Sequence, residues 1–403
     1  MLSKFYSWIN NKILFNNTVE HPSVQAQQQF LASIPEPKDM LERSYDKYRC
    51  LLFCSYSGKQ KLIMNTVSFF AMILLIPYCR LRGLKYDKAM ASYQPQDKLL
   101  RKVSQRIPID DIFPQKLNEQ YAQAEDYDGK GYADMLITRD AFAIFRRSVR
   151  KHPFSFHFNM VLFIRLAQAC SLLMRYHPAA VTTYVCEREF ADPLVTEFYE
   201  SHGVQYHGFM HGDFIYTIRQ AFMHLTKYWM WAEHYDRLFQ DLRCLFEREI
   251  YVPGKYSGIV KPREKIEDYP YYATYYFSAE KKKDIEVIKR SMMRLQQDHF
   301  RCKVRPHPRF SQTDLIYEVF GNDMTVENPK EVSIEESLDC SHLTISLTST
   351  VLSQAYYSGK KIVLDDVTDP QAFGKLREIR YILVDKADML LSELLDQRKD
   401  ANS

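Results

Sequence analysis

The sequence predicts an α/β protein made of two Rossmann-like domains with a cleft between them. Short apolar runs alternate with helical patterns on both sides of a Pro- and Gly-bearing stretch at 253–270. A chain of 403 residues is long enough to bury two cores. Two chemistry-bearing turns, Arg301–Phe310 and Leu343–Asp366, each follow an apolar run where a parallel sheet would present a ligand. The division expected is a leader and irregular start over 1–61, a first Rossmann-like domain over 62–252, a linker over 253–270 and a second Rossmann-like domain over 271–403.

Met1–Lys61 shows no clean periodicity. Leu62–Tyr78 carries the run SFFAMILLIPY, and basic residues follow it. Its apolar core is shorter than the ~20 residues that span a bilayer, so a buried helix is expected, with a segment lying in the membrane interface as the alternative. Asp87–Lys130 is polar and reads as loops and short helices. Asp134–Ile137 reads as a short strand, Ala141–Arg150 as a basic helix and Asn159–Met174 as an apolar core helix. Val181–Cys186, Val204–Met210 and Tyr228–Trp231 read as strands. Pro193–His202 reads as a helix stopped by Gly203, and Tyr235–Phe246 as another helix. In the second half, Ala273–Phe277 starts a sheet. Ala279–Asp298 places Ile285, Ile288, Met292 and Leu295 on one helical face, and Ser333 with Glu336 forms a capping box.

Composition narrows the function classes. A net charge of +4 is too small to call for a nucleic-acid partner. The 28 tyrosines and 12 glycines are compatible with stacking on carbohydrate or nucleotide. The 8 cysteines have no metal-like spacing and read as reduced core thiols of a cytosolic protein. The first fifteen residues do not form a cleavable signal peptide.

Three motifs carry chemistry. In RCKVRPHPRF, Cys302–Arg305 is a strand that Pro306 ends, leaving His307 at its carboxyl end between two prolines. Arg301, Arg305 and Arg309 stand close by. An imidazole among guanidinium groups suits a phosphate; the plainer alternative is a surface loop with a solvated histidine. In LTISLTSTVLSQAYYSGKKIVLDD, strand Leu343–Leu347 runs into Thr348, Ser349 and Thr350. Helix Val351–Ser358 follows, then Gly359 as its cap and strand Ile362–Leu364. Hydroxyls at a helix N-terminus bind anions, although Ser349 or Thr350 can equally be a plain cap. Asp365 and Asp366 read as structural. Third, strand Val204–Met210 runs into His211, Gly212 and Asp213, an acid/base arrangement or a histidine in a tight turn. Glu187 and Glu189 are a second place for a base.

This order of motifs, HG after a first-domain strand, HP after a second-domain strand, then a Ser/Thr turn, resembles GT-B glycosyltransferases of bacterial surface-polysaccharide synthesis. The similarity is to two groups: the capsule polysialyltransferases with the lipooligosaccharide sialyltransferases, and the CDP-glycerol glycerophosphotransferases. It covers roughly Val181–Asp366. It implies an acceptor-binding first domain and a nucleotide-donor second domain. His307 and Pro308, with Arg305 and Arg309, would contact the cytidylyl phosphate, and Thr348, Ser349 and Thr350 the donor phosphate or sugar carboxylate. His211, Asp213 or Glu189 would act as the base. The sialyltransferase acidic-acidic-Gly motif is absent near Glu187, and Asp-Phe-Ile-Tyr follows the HG where glycerophosphotransferases have Thr-Pro-Leu-Lys. The expectation is a metal-independent inverting transferase with no cofactor beyond a CMP-linked nucleotide-sugar co-substrate. It would move a sialic-acid-like sugar to a capsule, O-antigen or lipooligosaccharide glycan. The expected location is the cytoplasm, with peripheral contact at the inner face of the membrane left open. The alternatives are another transferase of the same fold, or a catalytically silent binding protein.

Overall fold

The computed structural model describes residues 22–103, 113–127, 134–184, 189–210, 214–251, 269–296 and 300–400. They fall into two compact units. The first holds the described residues up to 210 together with 217–251, and the second holds 214–216 together with 269–400.

The first unit opens with helices α1 (Val24–Ala32), α2 (Met40–Ser55), α3 (Gly58–Gly83) and α4 (Asp87–Ala91). Strand β1 (Gln96–Lys102), short helix α5 (Gln115–Asn118) and strand β2 (Gln123–Tyr127) come next, followed by helices α6 (Arg139–Lys151) and α7 (Phe156–Tyr176). The unit continues through β3 (Pro178–Tyr184), α8 (Asp192–Glu200), β4 (Gln205–Phe209), β5 (His224–Met230), α9 (Asp236–Asp241) and β6 (Leu245–Ile250). The six strands form one parallel sheet in the order β2-β1-β3-β4-β5-β6. Phe158, Leu162, Phe163, Leu166 and Leu173 of α7 are fully buried in its core with Val181 and Phe198.

Several expectations are corrected here. The stretch before Lys61 is not irregular, because α1 and α2 are ordered helices of the first unit. The inward side of α2 hides its periodicity by carrying charge: Arg43, Asp46 and Lys47 are buried, and the Arg43 guanidinium donates to the Arg243 carbonyl at 2.7 Å. Asp87–Lys130 contains two strands. In β1 only Leu99 and Leu100 are buried. Its cations pair instead with carboxylates of β2, Lys98 with Glu125 at 3.1 Å and Arg101 with Asp126 at 2.8 Å, so no apolar alternation is visible. Asp134–Ile137 is not a strand. Its Ile137 N–H donates to the Cys79 carbonyl of α3 at 3.1 Å, so the segment caps a helix rather than joining a ladder. The helix expected over Tyr235–Phe246 stops at Asp241, because Arg243 takes φ +54° and the chain turns into β6. The expectation that Leu62–Tyr78 is a buried helix holds only on one side: Met64, Met72, Leu75 and Ile76 face the core, while Leu62, Phe69, Phe70, Ile73, Leu74 and Tyr78 are exposed.

The second unit runs β7 (Tyr271–Tyr276), α10 (Lys282–Leu295), β8 (Cys302–Arg305), α11 (Thr313–Phe320), β9 (Thr325–Val326), α12 (Ile334–Asp339) and β10 (Ser341–Ser346). It ends with α13 (Thr350–Tyr357), β11 (Lys361–Leu364), α14 (Pro370–Glu378), β12 (Met389–Leu390) and α15 (Leu391–Asp400). Its parallel sheet has the order β12-β11-β10-β7-β8-β9. The chain winds outward from β7 in one direction and from β10 in the other, so the order reverses between these two central strands. Ile285, Ile288, Met292 and Leu295 of α10 are fully buried against it, the face read from their spacing. Gly359 follows α13 at φ +71°, where a side chain would be strained. The fold class is α/β, with two doubly wound parallel sheets.

Candidate functional site

In a doubly wound sheet the strand ends diverge where the order reverses, and the crevice so opened at the carboxyl edge receives ligands. In the second unit this point lies over the ends of β7 and β10, with β8 on the other side of β7. His307 and Ser349 stand off β8 and β10. Two strand spacings separate those strands, ~10 Å, enough for a phosphate and part of its substituent.

His307 is held rather than loose. Its Nδ1 accepts the N–H groups of Arg309 at 3.0 Å and Phe310 at 3.2 Å, and its ring stacks on Phe310 with centroids 4.6 Å apart. Its own N–H donates to Ser311 Oγ at 2.7 Å. That hydroxyl in turn donates to the Ser278 carbonyl at 2.9 Å, tying the turn to the loop after β7. With Nδ1 accepting two amides, the neutral ring carries its proton on Nε2 and presents a donor there. Burial, then the Arg309 charge, lowers the imidazole pKa from its ordinary 6.5, favouring this neutral form. Pro308 and Arg309 are exposed beside it.

Arg305, grouped with these residues in the sequence, turns inward. It is buried, with Nη1 on Glu327 at 2.8 Å and Nη2 on the Val332 carbonyl at 2.8 Å. Lys303 pairs with the other oxygen of Glu327. Arg305 is therefore a structural cation and leaves the donor-contact set.

Across β7, Ser349 caps α13 with its hydroxyl on the Val351 N–H at 3.3 Å and is itself buried. Ser346 holds the turn by donating to the Tyr276 carbonyl at 2.8 Å. Thr348 and Thr350 are exposed, so their hydroxyls are the ones open to a ligand at this N-terminus. Asp365 accepts the Tyr275 hydroxyl at 2.7 Å and two backbone N–H groups, the structural role read from the sequence. One residue of the second unit escaped the sequence reading. Glu280, four residues past β7, has its pKa raised, chiefly by burial and further by Asp365 and Asp284. The signal for it was position alone, a carboxylate just beyond a central strand.

In the first unit, Glu189 lines a cavity of about 380 Å³ running beside α7 and reaching the ends of β1, β2 and β3 at Lys102, Tyr127 and Thr183. Glu189 pairs with Arg165 of α7. Asp192, the first residue of α8, lines the same cavity, and its buried Oδ2 has no hydrogen-bond partner among the described residues. Burial pushes the Asp192 carboxyl well above the ordinary carboxylate range, Lys47 opposing and Glu189 adding to the push. Two carboxyls in one cavity, one paired with a cation and one buried with an oxygen left without a hydrogen bond, are environments that push carboxyl pKa values apart. Tyr199 and Tyr206, with centroids 5.2 Å apart, add aromatic surface. His211, Asp213 and Glu187 lie outside the described residues. No three His, Cys, Asp or Glu side chains converge as metal ligands among the described residues.

No family model and no curated protein matches the chain. Among solved structures it is similar to MurG of Acinetobacter baumannii, at 12% identity and a TM-score of 0.43, over 76% of this chain and 90% of that one. A UDP-N-acetylglucosamine 2-epimerase gives 10% identity and a TM-score of 0.40, over 70% and 81%. An α,α-trehalose-phosphate synthase (UDP-forming) of Burkholderia vietnamiensis gives 11% and 0.36, over 76% and 92%. At this level of likeness the chemistry has to be read from the chain's own residues.

Proposed function

We propose that the chain is an inverting glycosyltransferase that moves a sialic-acid-like sugar from a CMP-activated donor to a surface glycan. The observation that carries this reading is His307. Its Nδ1 is fixed by two amides, so Nε2–H is a preorganised donor at the carboxyl edge of a Rossmann-like sheet, beside the reversal point and the hydroxyl-bearing N-terminus of α13. In the proposed reaction the bond from the anomeric carbon to the phosphate oxygen breaks and CMP departs with the electron pair. His307 and the exposed Thr348 and Thr350 hydroxyls take up the charge that builds on the phosphate. The acceptor hydroxyl attacks and loses its proton to a base.

Among the residues read from the sequence as candidate bases, Glu189 is the described one, in a tyrosine-bearing cavity of the first unit. The test is a donor screen with CMP-sialic acid, CMP-Kdo, CDP-glycerol and UDP-sugars, scored by nucleotide release with and without glycan acceptor. Acceptor-dependent CMP release from CMP-sialic acid is expected. Turnover of UDP-sugars alone would move the donor assignment, and nucleotide binding without any turnover would remove the enzyme reading.

A further inference from the structure

Helix α3 has apolar residues on both sides. Its fully buried positions are Gln60, Met64, Ser68, Cys79 and Gly83, mostly small or polar, and Met72, Leu75 and Ile76 are half-buried against the core. Its exposed stripe is large and apolar: Leu62 (69% exposed), then, recurring every three to four residues, Phe69, Phe70 (62%), Ile73, Leu74 (68%), Tyr78 and Leu81 (69%), with Leu84 just past its end. Phe156 extends this surface through its ring contact with Phe69 at 5.0 Å, and neighbouring Phe154 is 82% exposed. A water-facing helix surface normally carries the opposite pattern. Helix α7 is also long and apolar enough to cross a membrane, but 61% of its most apolar stretch is buried, against 17% for the stretch that includes α3. α7 is a core helix, and α3 is not.

We infer that the exposed face of α3 docks the protein in the plane of an anionic lipid surface. The charges at its ends choose lipid over other covers. Over 56–91 there are six cations, Lys59, Lys61, Arg80, Arg82, Lys85 and Lys88, and one carboxylate, Asp87, which Arg80 already holds at 2.6 Å. Arg82 lies 3.6 Å from Asp134, so the headgroup-facing cations are Lys59 and Lys61 at one end of the apolar stripe and Lys85 and Lys88 at the other, where anionic headgroups meet an interfacial helix. A second copy of this chain laid on the same stripe would set cations against cations in either helix direction.

The helix lies along the surface and does not cross it, because its other side is fastened to the first unit. The Cys79 carbonyl accepts the Ile137 N–H, and Gly83 fits so closely that a Cβ there would stand 1.9 Å from the Ile137 oxygen. Arg82 belongs both to α3 and to the lining of the cavity that holds Glu189, so docking holds that cavity beside the lipid. This inference does not depend on the reaction assigned above.

The test is co-sedimentation of the full chain with sucrose-loaded vesicles of phosphatidylcholine, with and without 30% phosphatidylglycerol (about a third of the lipid, to set a strongly anionic surface). Binding to the anionic vesicles, weakened by added salt, is expected. The triple variant Phe70→Ser, Leu74→Ser, Leu81→Ser should bind roughly 100-fold more weakly. Its unfolding transition should stay unchanged, since these side chains face solvent. A second variant, Lys59→Glu with Lys61→Glu, Lys85→Glu and Lys88→Glu, should lose the preference for anionic over neutral vesicles. Wild-type protein left in the supernatant with both vesicle types would overturn the inference, as would undiminished binding of the triple variant. A dimer that the triple variant abolishes, without vesicle binding, would assign the face to a second copy instead.

Discussion

Replacing His307 with alanine tests the donor site most directly. The structure gives the side chain one external function and one internal one. Externally, Nε2–H is a fixed donor, and losing one such donor to developing charge commonly lowers turnover by ~10²–10³, about 2.7–4 kcal/mol. Internally, Nδ1 accepts the Arg309 and Phe310 amides. Both lie in an exposed turn, so water replaces the lost acceptor and the fold should lose at most about 1 kcal/mol. The assay is nucleotide release with acceptor present, alongside thermal unfolding.

The same geometry fixes a pH dependence. The folded imidazole has a pKa lowered from 6.5 by burial and by Arg309. Below 6.5 the unfolded chain therefore takes up a proton that the folded site resists, and this contribution to stability, complete above 6.5, is lost as pH falls. Protonating Nδ1 also sets an N–H against the two amide donors. Affinity for a CMP-sugar, whose diester phosphate does not titrate here, should be level from pH 8 to 7 (around neutrality, where the neutral imidazole persists) and decline as the medium acidifies below 6.5. Affinity that rises on acidification would mean an imidazolium–phosphate pair, and the neutral-donor argument would be wrong. Near wild-type turnover in a folded His307→Ala variant would remove the residue from the site.

Three further outcomes are expected. Ser349→Ala should weaken the α13 cap by about 1 kcal/mol, whereas Thr350→Ala, at an exposed hydroxyl, should lower donor affinity while leaving acceptor KM in place; thermal unfolding beside calorimetric titration of CMP and acceptor kinetics separates the two. Glu189→Gln should retain donor binding and cut transfer by ~10²-fold or more; single-turnover rates with saturating donor read this, and unchanged rates would return the role to His211 or Asp213. Glu327→Ala should destabilise the second unit by about 3–5 kcal/mol, because it strands the buried Lys303 and Arg305 charges, a loss that chemical denaturation measures.

Features set by neighbours along the chain were legible in the sequence. Strand Cys302–Arg305 ends where Pro306 forbids a ladder donor, and Ser349 caps a helix that Gly359 closes at φ +71°. The α10 core face follows from spacing alone. These are effects of backbone geometry and periodicity, which residues impose on themselves. Tertiary contact decided the rest. β1 was hidden because its charges are neutralised by carboxylates of β2 rather than by burial. Arg305 and Arg309 look alike in sequence, four residues apart, yet one is buried on Glu327 and the other exposed, because β8 inserts between two strands while the turn beyond it does not. The cavity around Glu189 and Asp192 draws on helices and strands distant in the chain. The outward apolar face of α3 is the clearest case. A run of large apolar residues states that water is a poor neighbour, but only the packed domain, by taking Met64, Met72, Leu75 and Ile76 to its own side and leaving Phe70, Leu74 and Leu81 out, decides which of them need a neighbour from outside.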